Sequence, residues 1–475
     1  MESISAFDII KIGIGPSSSH TMGPWRAAQM FLASLQERNF LFSQIEDITI
    51  YLYGSLAKTG MGHGTDVAIL MGLAGFDFTK IDTNIIPEKI AEIKKNKKIF
   101  LDGSNAITFD YKKNLIFSPQ TTLEFHPNGM MFKASLKDGK TIIEEKYYSV
   151  GGGFIATEKS NTITENAIVT PYPCHFASTI LDNCKKMNLR VSDLIYLNEE
   201  AWRPRAEIKA HALMIWHEIK ECIFRGVYKR GILPGGLNVK RRAAEINAHL
   251  LDGADYKSAD EWIQAIKTSE ASFTRVTKWV SCFALAVNEE NASFGRIVTA
   301  PTNGAAGVIP AVLMYAHCFI KDFDEESIIR FLLTAGEIGT IFKKNATISA
   351  AMGGCQAEIG VSSAMAAAAL AECSQGTPGQ VLMAAEIAME HHLGLTCDPI
   401  GGLVQIPCIE RNSMGAMKAI TATSLALESN PESAKVSLDA VIKSMWDTAR
   451  DMNTKYKETS EGGLATNIAV SLAEC

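Results

Sequence analysis

The chain is poor in most features that mark secreted, membrane-bound or nucleotide-binding proteins. Ten cysteines in 475 residues are too sparse for a disulfide scaffold, so reduced thiols are expected. Positive charge is not in excess. Lys and Arg number 46 against 52 Asp and Glu, a net charge of −6 that argues against a nucleic-acid surface. The short basic runs Lys94-Lys95-Asn96-Lys97-Lys98 and Lys240-Arg241-Arg242 read as solvated surface. Met1-Glu2-Ser3-Ile4 is not a basic segment leading into an apolar core, so no secretion signal is expected and a cytoplasmic location is. Long Leu/Ile/Phe runs are missing. The least charged stretch, 348–371, holds only Glu358, but it is rich in Ala, Gly and Ser and reads as a buried helix rather than a membrane span. There is no internal repeat. The Gly-rich segment Pro301–Gly307 lacks the Gly-Lys-Ser/Thr of a P-loop and the preceding βαβ strand of a dinucleotide fingerprint.

What is present divides the chain in two. Residues 1–156 mix helix and strand. Pro24–Leu32 predicts a helix with proline in its first turn, and the alternating, β-branched Ile45–Tyr53 predicts a strand. Met130–Leu136 and Thr141–Val150 predict a hairpin closed at Asp138-Gly139. A polar stretch ending in Pro171-Tyr172-Pro173 makes 157–173 a linker. Residues 174–475 read as helical, through Glu199–Arg225, Ser258–Asn288, Pro310–Ile320 and Glu325–Phe342. The fold class is α+β multidomain: a small N-terminal α/β domain followed by a large all-α catalytic domain.

Chemistry-bearing residues cluster in five motifs. Gly15–Pro24 (GPSSSHTMGP) sets Ser17, Ser18, Ser19 and His20 at a helix start, where hydroxyls and N–H groups suit a carboxylate. A cap cluster with a bystander histidine fits the same residues. Gly62-His63-Gly64 puts an imidazole on a loop that a ligand can approach closely, although a plain turn histidine has the same look. Thr302, Asn303, Gly304 and Ala305 open a helix after a Gly-rich turn, suited to an anion or to an ordinary helix start. Cys355, Cys397 and Cys408 sit in Gly/Pro-rich frames, and three fixed thiolates can hold an iron–sulfur cluster with one iron left open. Their spacing is unlike the compact runs of ferredoxins and also fits inert buried thiols.

Taken together, GPSSSHTMGP (15–24), GHGTD (62–66), TAPTNGAAGVIP (299–310), MGGCQAE (352–358) and CDPIGGLVQIPCIERN (397–412) resemble the iron–sulfur-dependent L-serine dehydratase family over nearly the whole chain. The resemblance implies an enzyme that converts L-serine to pyruvate and ammonia, and a homodimer. It implies a [4Fe–4S] cluster on Cys355, Cys397 and Cys408, and active-site roles for His63, as the base, and His20. A substrate-carboxylate site is implied at Thr302–Ala305 with Ser17–Ser19 close by. The terminal Cys475 matches a tail cysteine that caps the open iron at rest. Two rivals stand beside this reading. One is a pyridoxal-phosphate dehydratase, for which Lys343-Lys344 would have to serve without a Ser-x-Lys-x-x-Gly context. The other is a non-catalytic amino-acid sensor.

Overall fold

The computed structural model describes residues 3–158 and 168–468. Its strands are β1 (Lys11–Ile14), β2 (Ile45–Tyr53), β3 (Lys98–Leu101), β4 (Asn105–Thr108), β5 (Leu115–Ser118), β6 (Gly129–Leu136), β7 (Ile142–Ser149), β8 (Ile155–Ala156) and β9 (Arg296–Thr299). A five-stranded sheet runs β5-β2-β6-β7-β8, with β2 parallel to β5 and antiparallel to β6. The alternation of β2 buries Ile48, Ile50 and Leu52, as its sequence requires. β6 and β7 form the expected hairpin. The helices Gly23–Glu37 and Thr65–Leu73 close a core around Trp25, Phe31, Ile69 and Phe132.

The rest is a helical mass organised around Ile359–Cys373. Every residue of that helix from Ile359 to Glu372 is buried. Its alanines let the helices Glu325–Asn345, Pro378–Glu390 and Cys408–Leu427 pack closely against it. Ser362 and Ser363 satisfy their hydroxyls on the carbonyls of Ala300 and Gly415. Among the described residues no helix is long and apolar enough to cross a membrane. The segments 199–225 and 258–288, read as helical, are each interrupted. One break comes before Pro204, which leads into Arg205–Tyr228, and the other at Ser269–Ser272, ahead of Phe273–Asn291.

The two halves are stitched together at the N-terminal segment. Ala6, Phe7, Ile9 and Ile10 belong to the helical core, not to the sheet. Ser5 Oγ and Ala6 N–H both donate to Glu199, at 2.7 Å each. β1 then pairs antiparallel with β9, a strand within the region read as wholly helical. Four residues are too few to show a period, and the partner of β9 lies at the far end of the chain, so no local pattern announces it. Residues 159–167 of the expected linker lie outside the described residues. Beyond them, Tyr172 N–H donates to Asn198 Oδ1 at 2.9 Å.

Candidate active site

One wall of the site comes from the α/β half. Ser17 caps a wide π-type turn, Ser18–Met22, by accepting from His20 N–H at 3.1 Å. This holds the His20 ring inward, fully buried and 4.6 Å, centroid to centroid, from the ring of His63. The loop carrying His63 packs directly on the cysteine-bearing half. A Cβ at Gly62 would come within 2.9 Å of the Gly402 carbonyl oxygen, so only glycine permits this approach.

The hydrogen bonds fix both tautomers. His63 Nδ1 lies 2.8 Å from the Thr59 carbonyl, which can only accept, so Nδ1 carries the proton and Nε2 keeps a lone pair. Burial lowers the pKa of His63 to about 4, so the ring is neutral at physiological pH. His20 Nε2 faces Ser55 Oγ at 3.1 Å and Thr59 Oγ1 at 3.0 Å. Both hydroxyl protons are already given away, Ser55 to the Glu458 carbonyl (2.9 Å) and Thr59 to the Ser55 carbonyl (3.1 Å). His20 therefore donates from Nε2 and accepts at Nδ1 from Ser19 Oγ, 2.8 Å away. Burial, then the neighbouring His63, holds its pKa well below the usual histidine value.

The facing wall comes from the helical half. Cys355 lies in the turn Gly354–Ala357, Cys397 on a loop, and Cys408 at the first position of Cys408–Leu427; all three are buried. Cys355 Sγ, Cys397 Sγ and a Glu358 carboxylate oxygen lie within 4.8 Å of one another. The Cys355 thiol is lowered, first by a hydrogen bond with Cys397 and then by the Arg411 guanidinium. Cys397 is raised well above the usual thiol value by that same bond, and Cys408 by burial and the charge on Cys355. Burial pushes Glu358 up to about 7. This donor set fits a metal group. Soft thiols and a carboxyl crowd together out of water, where they cannot all ionise unless a cation is shared among them. Two thiols elsewhere in the helical half behave otherwise: burial pushes Cys318 up to about 12, and burial with the charge of Glu289 raises Cys282, with no second thiol as partner.

The 301–307 loop lies between the walls. Ala305 packs with Cys355 and Cys397, while Thr302 faces Glu358 without a well-formed hydrogen bond. A Cβ at Gly304 would meet Glu358 Oε2 at 2.7 Å. The Asn303 side chain is committed to structure. It donates to the Ile14 carbonyl at 2.6 Å and accepts from Thr299 Oγ1 at 2.6 Å, which locks the β1–β9 seam. Asn412 clamps the loop by bonding Gly304 O (2.7 Å) and Gly307 N–H (2.9 Å). Ser17, Ser18 and Ser19 are all buried in the His20 turn. Lys344, which a pyridoxal-phosphate site would need, is tied to the Cys174 carbonyl at 3.2 Å. Cys475 lies outside the described residues.

Sequence reasoning missed Glu458. Its buried carboxyl lies beside both histidines, with Oε1 3.6 Å from His20 Nδ1 and 4.0 Å from His63 Nε2. Burial, then the charges of Glu358 and Cys355, raises its pKa well above the usual carboxyl value. It comes from a polar stretch, 457–463, that reads as loop. Arg411 and Asn412 belong to a quoted motif, but their roles were not assigned.

Two matches to family models divide the chain where the structure changes character. The serine dehydratase beta chain matches residues 5–160 and the serine dehydratase alpha chain residues 186–465. The chain thus belongs to the serine dehydratase family, with both parts in one polypeptide. It is 47% identical to an L-serine dehydratase of Streptomyces coelicolor over 98% of this chain and 99% of that protein. Identity to an L-serine dehydratase of Haemophilus influenzae is also 47%, over the same shares. Identity to the L-serine dehydratase 2 of Escherichia coli is 45%, over 98% of this chain and 99% of that one.

Proposed function

We propose that this chain is an L-serine dehydratase that eliminates water from L-serine, with His63 as the base and Cys355, Cys397 and Cys408 holding a [4Fe–4S] cluster. When bound, such a cluster supplies a Lewis-acidic iron that makes hydroxide a workable leaving group. The observation that carries the reading is the His63 tautomer. Its Nε2 keeps a lone pair and lies 4.0 Å from Glu458 Oε1, and Glu458 N–H is bonded to the carbonyl of Cys397, whose thiol pairs with Cys355 and Glu358. His63 Nε2 takes the α-proton of the substrate as the β-hydroxyl leaves. His20 keeps Nε2–H on Ser55 and Thr59 and stays neutral, so it positions substrate without competing for that proton. The N–H groups of Thr302–Ala305, with Ser17–Ser19 close by, are the candidates to receive the substrate carboxylate, the Ser19 hydroxyl proton being already held by His20 Nδ1. The product, aminoacrylate, tautomerises and hydrolyses to pyruvate and ammonia. The apolar packing of the helical core keeps water from the reacting atoms.

The test is protein prepared without oxygen, assayed for iron, visible absorbance and pyruvate release from L-serine. A brown, active protein that bleaches and dies in air supports the reading. Full activity from a colourless, iron-free sample overturns the cluster. Wild-type turnover by His63→Ala overturns the base.

A further inference from the structure

We infer that Glu458 is the group that receives the α-ammonium of the substrate and so makes the site select amino acids over their deaminated analogues. This rests on the reading above that L-serine is the substrate.

L-serine enters with a cationic ammonium, an anionic carboxylate and a neutral hydroxyl. The ammonium needs acceptor oxygens, since a buried cation without them is costly. The two histidines have no acceptor to spare: both nitrogens of His20 are committed, and the free lone pair of His63 Nε2 is the proposed base. Glu358 sits among the thiols, within the group suited to the metal. Glu458 remains. Its side chain is buried, and among the described residues Oε2 has no well-formed hydrogen bond, with the Ser19 hydroxyl as the neighbouring donor that touches the carboxyl. Its other oxygen reaches both histidines. An unsatisfied buried oxygen is expensive to maintain without a role.

The backbone around Glu458 is built to hold it there. Glu458 N–H donates to the Cys397 carbonyl at 3.0 Å, and Cys397 N–H donates to the Tyr456 carbonyl at 2.8 Å. Ser55 Oγ holds the Glu458 carbonyl at 2.9 Å. The residue itself takes φ +57, the left-handed region that a glutamate adopts only when its surroundings impose it. One residue is thus tied to a cysteine of the thiol wall and to a serine that also contacts His20. The geometry also suits the chemistry. The ammonium nitrogen is bonded to the α-carbon, so a carboxyl about 4 Å from His63 Nε2 that grips the nitrogen turns the α C–H toward that base. A carboxylate offers two acceptor oxygens to an ammonium, whereas the amide of a Gln offers one and puts an NH2 donor in place of the other.

The experiment compares ligands that differ only at this position, on anaerobically prepared, iron-loaded protein. By calorimetry, wild type should bind L-alanine at least about tenfold more tightly than L-lactate, which has a hydroxyl in place of the ammonium. Equal affinities overturn the inference, and this measurement needs no variant and no turnover. In Glu458→Gln, the KM for L-serine and the inhibition constant of L-alanine should both rise by about 10- to 100-fold. The inhibition constant of L-glycerate should stay within about twofold, and kcat should fall far less than KM rises. Glu458→Asp should recover part of the loss. A parallel rise for L-alanine and L-glycerate, or no rise in either, overturns the assignment. If iron or turnover is absent from the wild type while the L-alanine preference stands, the elimination reading fails and the Glu458 site survives.

Discussion

The α/β wall and the helical wall of the site solve opposite electrostatic problems. The α/β wall brings two imidazoles out of water and keeps both neutral, pinning each tautomer with hydroxyls and a carbonyl. The helical wall brings thiols and a carboxyl together, with the Arg411 guanidinium beside Cys355. One wall gathers neutral rings; the other gathers a soft donor set of the kind that suits a metal. On the proposed reading, the difference lets a single buried space hold a free base beside a Lewis acid. The bond from His63 Nδ1 to the Thr59 carbonyl leaves Nε2 as the one free imidazole lone pair, while among the thiols Cys355 is lowered and Cys397 and Cys408 are raised.

The sharpest way to break this comparison is to remove a thiol from each setting. Cys408→Ser should abolish iron binding, visible colour and pyruvate formation, whereas Cys282→Ala in the bundle interior should leave all three in place, as read by iron analysis and a steady-state assay. Next in size, His63→Ala should lower kcat by about 10²- to 10⁴-fold while the visible spectrum persists. A bleached His63→Ala protein would mean that the two walls are not independent.

The neutral imidazoles make a third, smaller prediction. With its pKa near 4, His63 stays unprotonated at pH 5, so kcat/KM should hold nearly level from pH 7 to pH 5. A base with the ordinary value of 6.5 would by then have lost about thirtyfold. Folding stability has the matching sign. The unfolded chain takes up protons on its histidines below pH 6.5, whereas the fold refuses them until about 4 at His63, His126 and His392. This stabilisation is full above 6.5 and drains away as pH falls toward 4. Urea midpoints at pH 7.5 and 5.5 measure it.

The seam between the walls comes next. Asn303→Ala leaves the Ile14 carbonyl and the Thr299 hydroxyl without their buried partner and should cost about 1–3 kcal/mol in urea unfolding. At the far end of the scale, Lys443→Ala removes an exposed i,i+4 pair with Asp447 and should change stability by no more than about 0.5 kcal/mol.

The motifs made much of this legible in advance, and the reason is local. β2 and the β6–β7 hairpin follow from alternation within a few residues and the Asp138-Gly139 turn signal, although the connection itself runs over 137–141. His20, His63 and the three cysteines stand out because glycine and proline frame each of them, and the fold brings these separate frames together. What stayed hidden depends on partners far away. β9 is a strand only because β1 lies beside it. Glu199 looks like any helix-end acid until Ser5 and Ala6 dock on it. Asn303 has a good motif context for ligand contact, yet its amide is spent on a carbonyl nearly three hundred residues away in the chain. Glu458 has no frame at all; its meaning comes entirely from the histidines it meets.

The hydrogen bond from Ser55 to the Glu458 carbonyl joins residues 403 positions apart. During synthesis this sets an order of events. The histidine-bearing half can collapse while the ribosome is still working, but the last polar piece of the pocket is translated about 20–80 s after Ser55 at ordinary elongation rates. A partly made chain therefore carries the imidazoles and, later, the thiols without the residue that sits between them. The pocket closes only after translation has passed residue 458, so a stalled or truncated product that lacks this segment is an incomplete site rather than a slower enzyme.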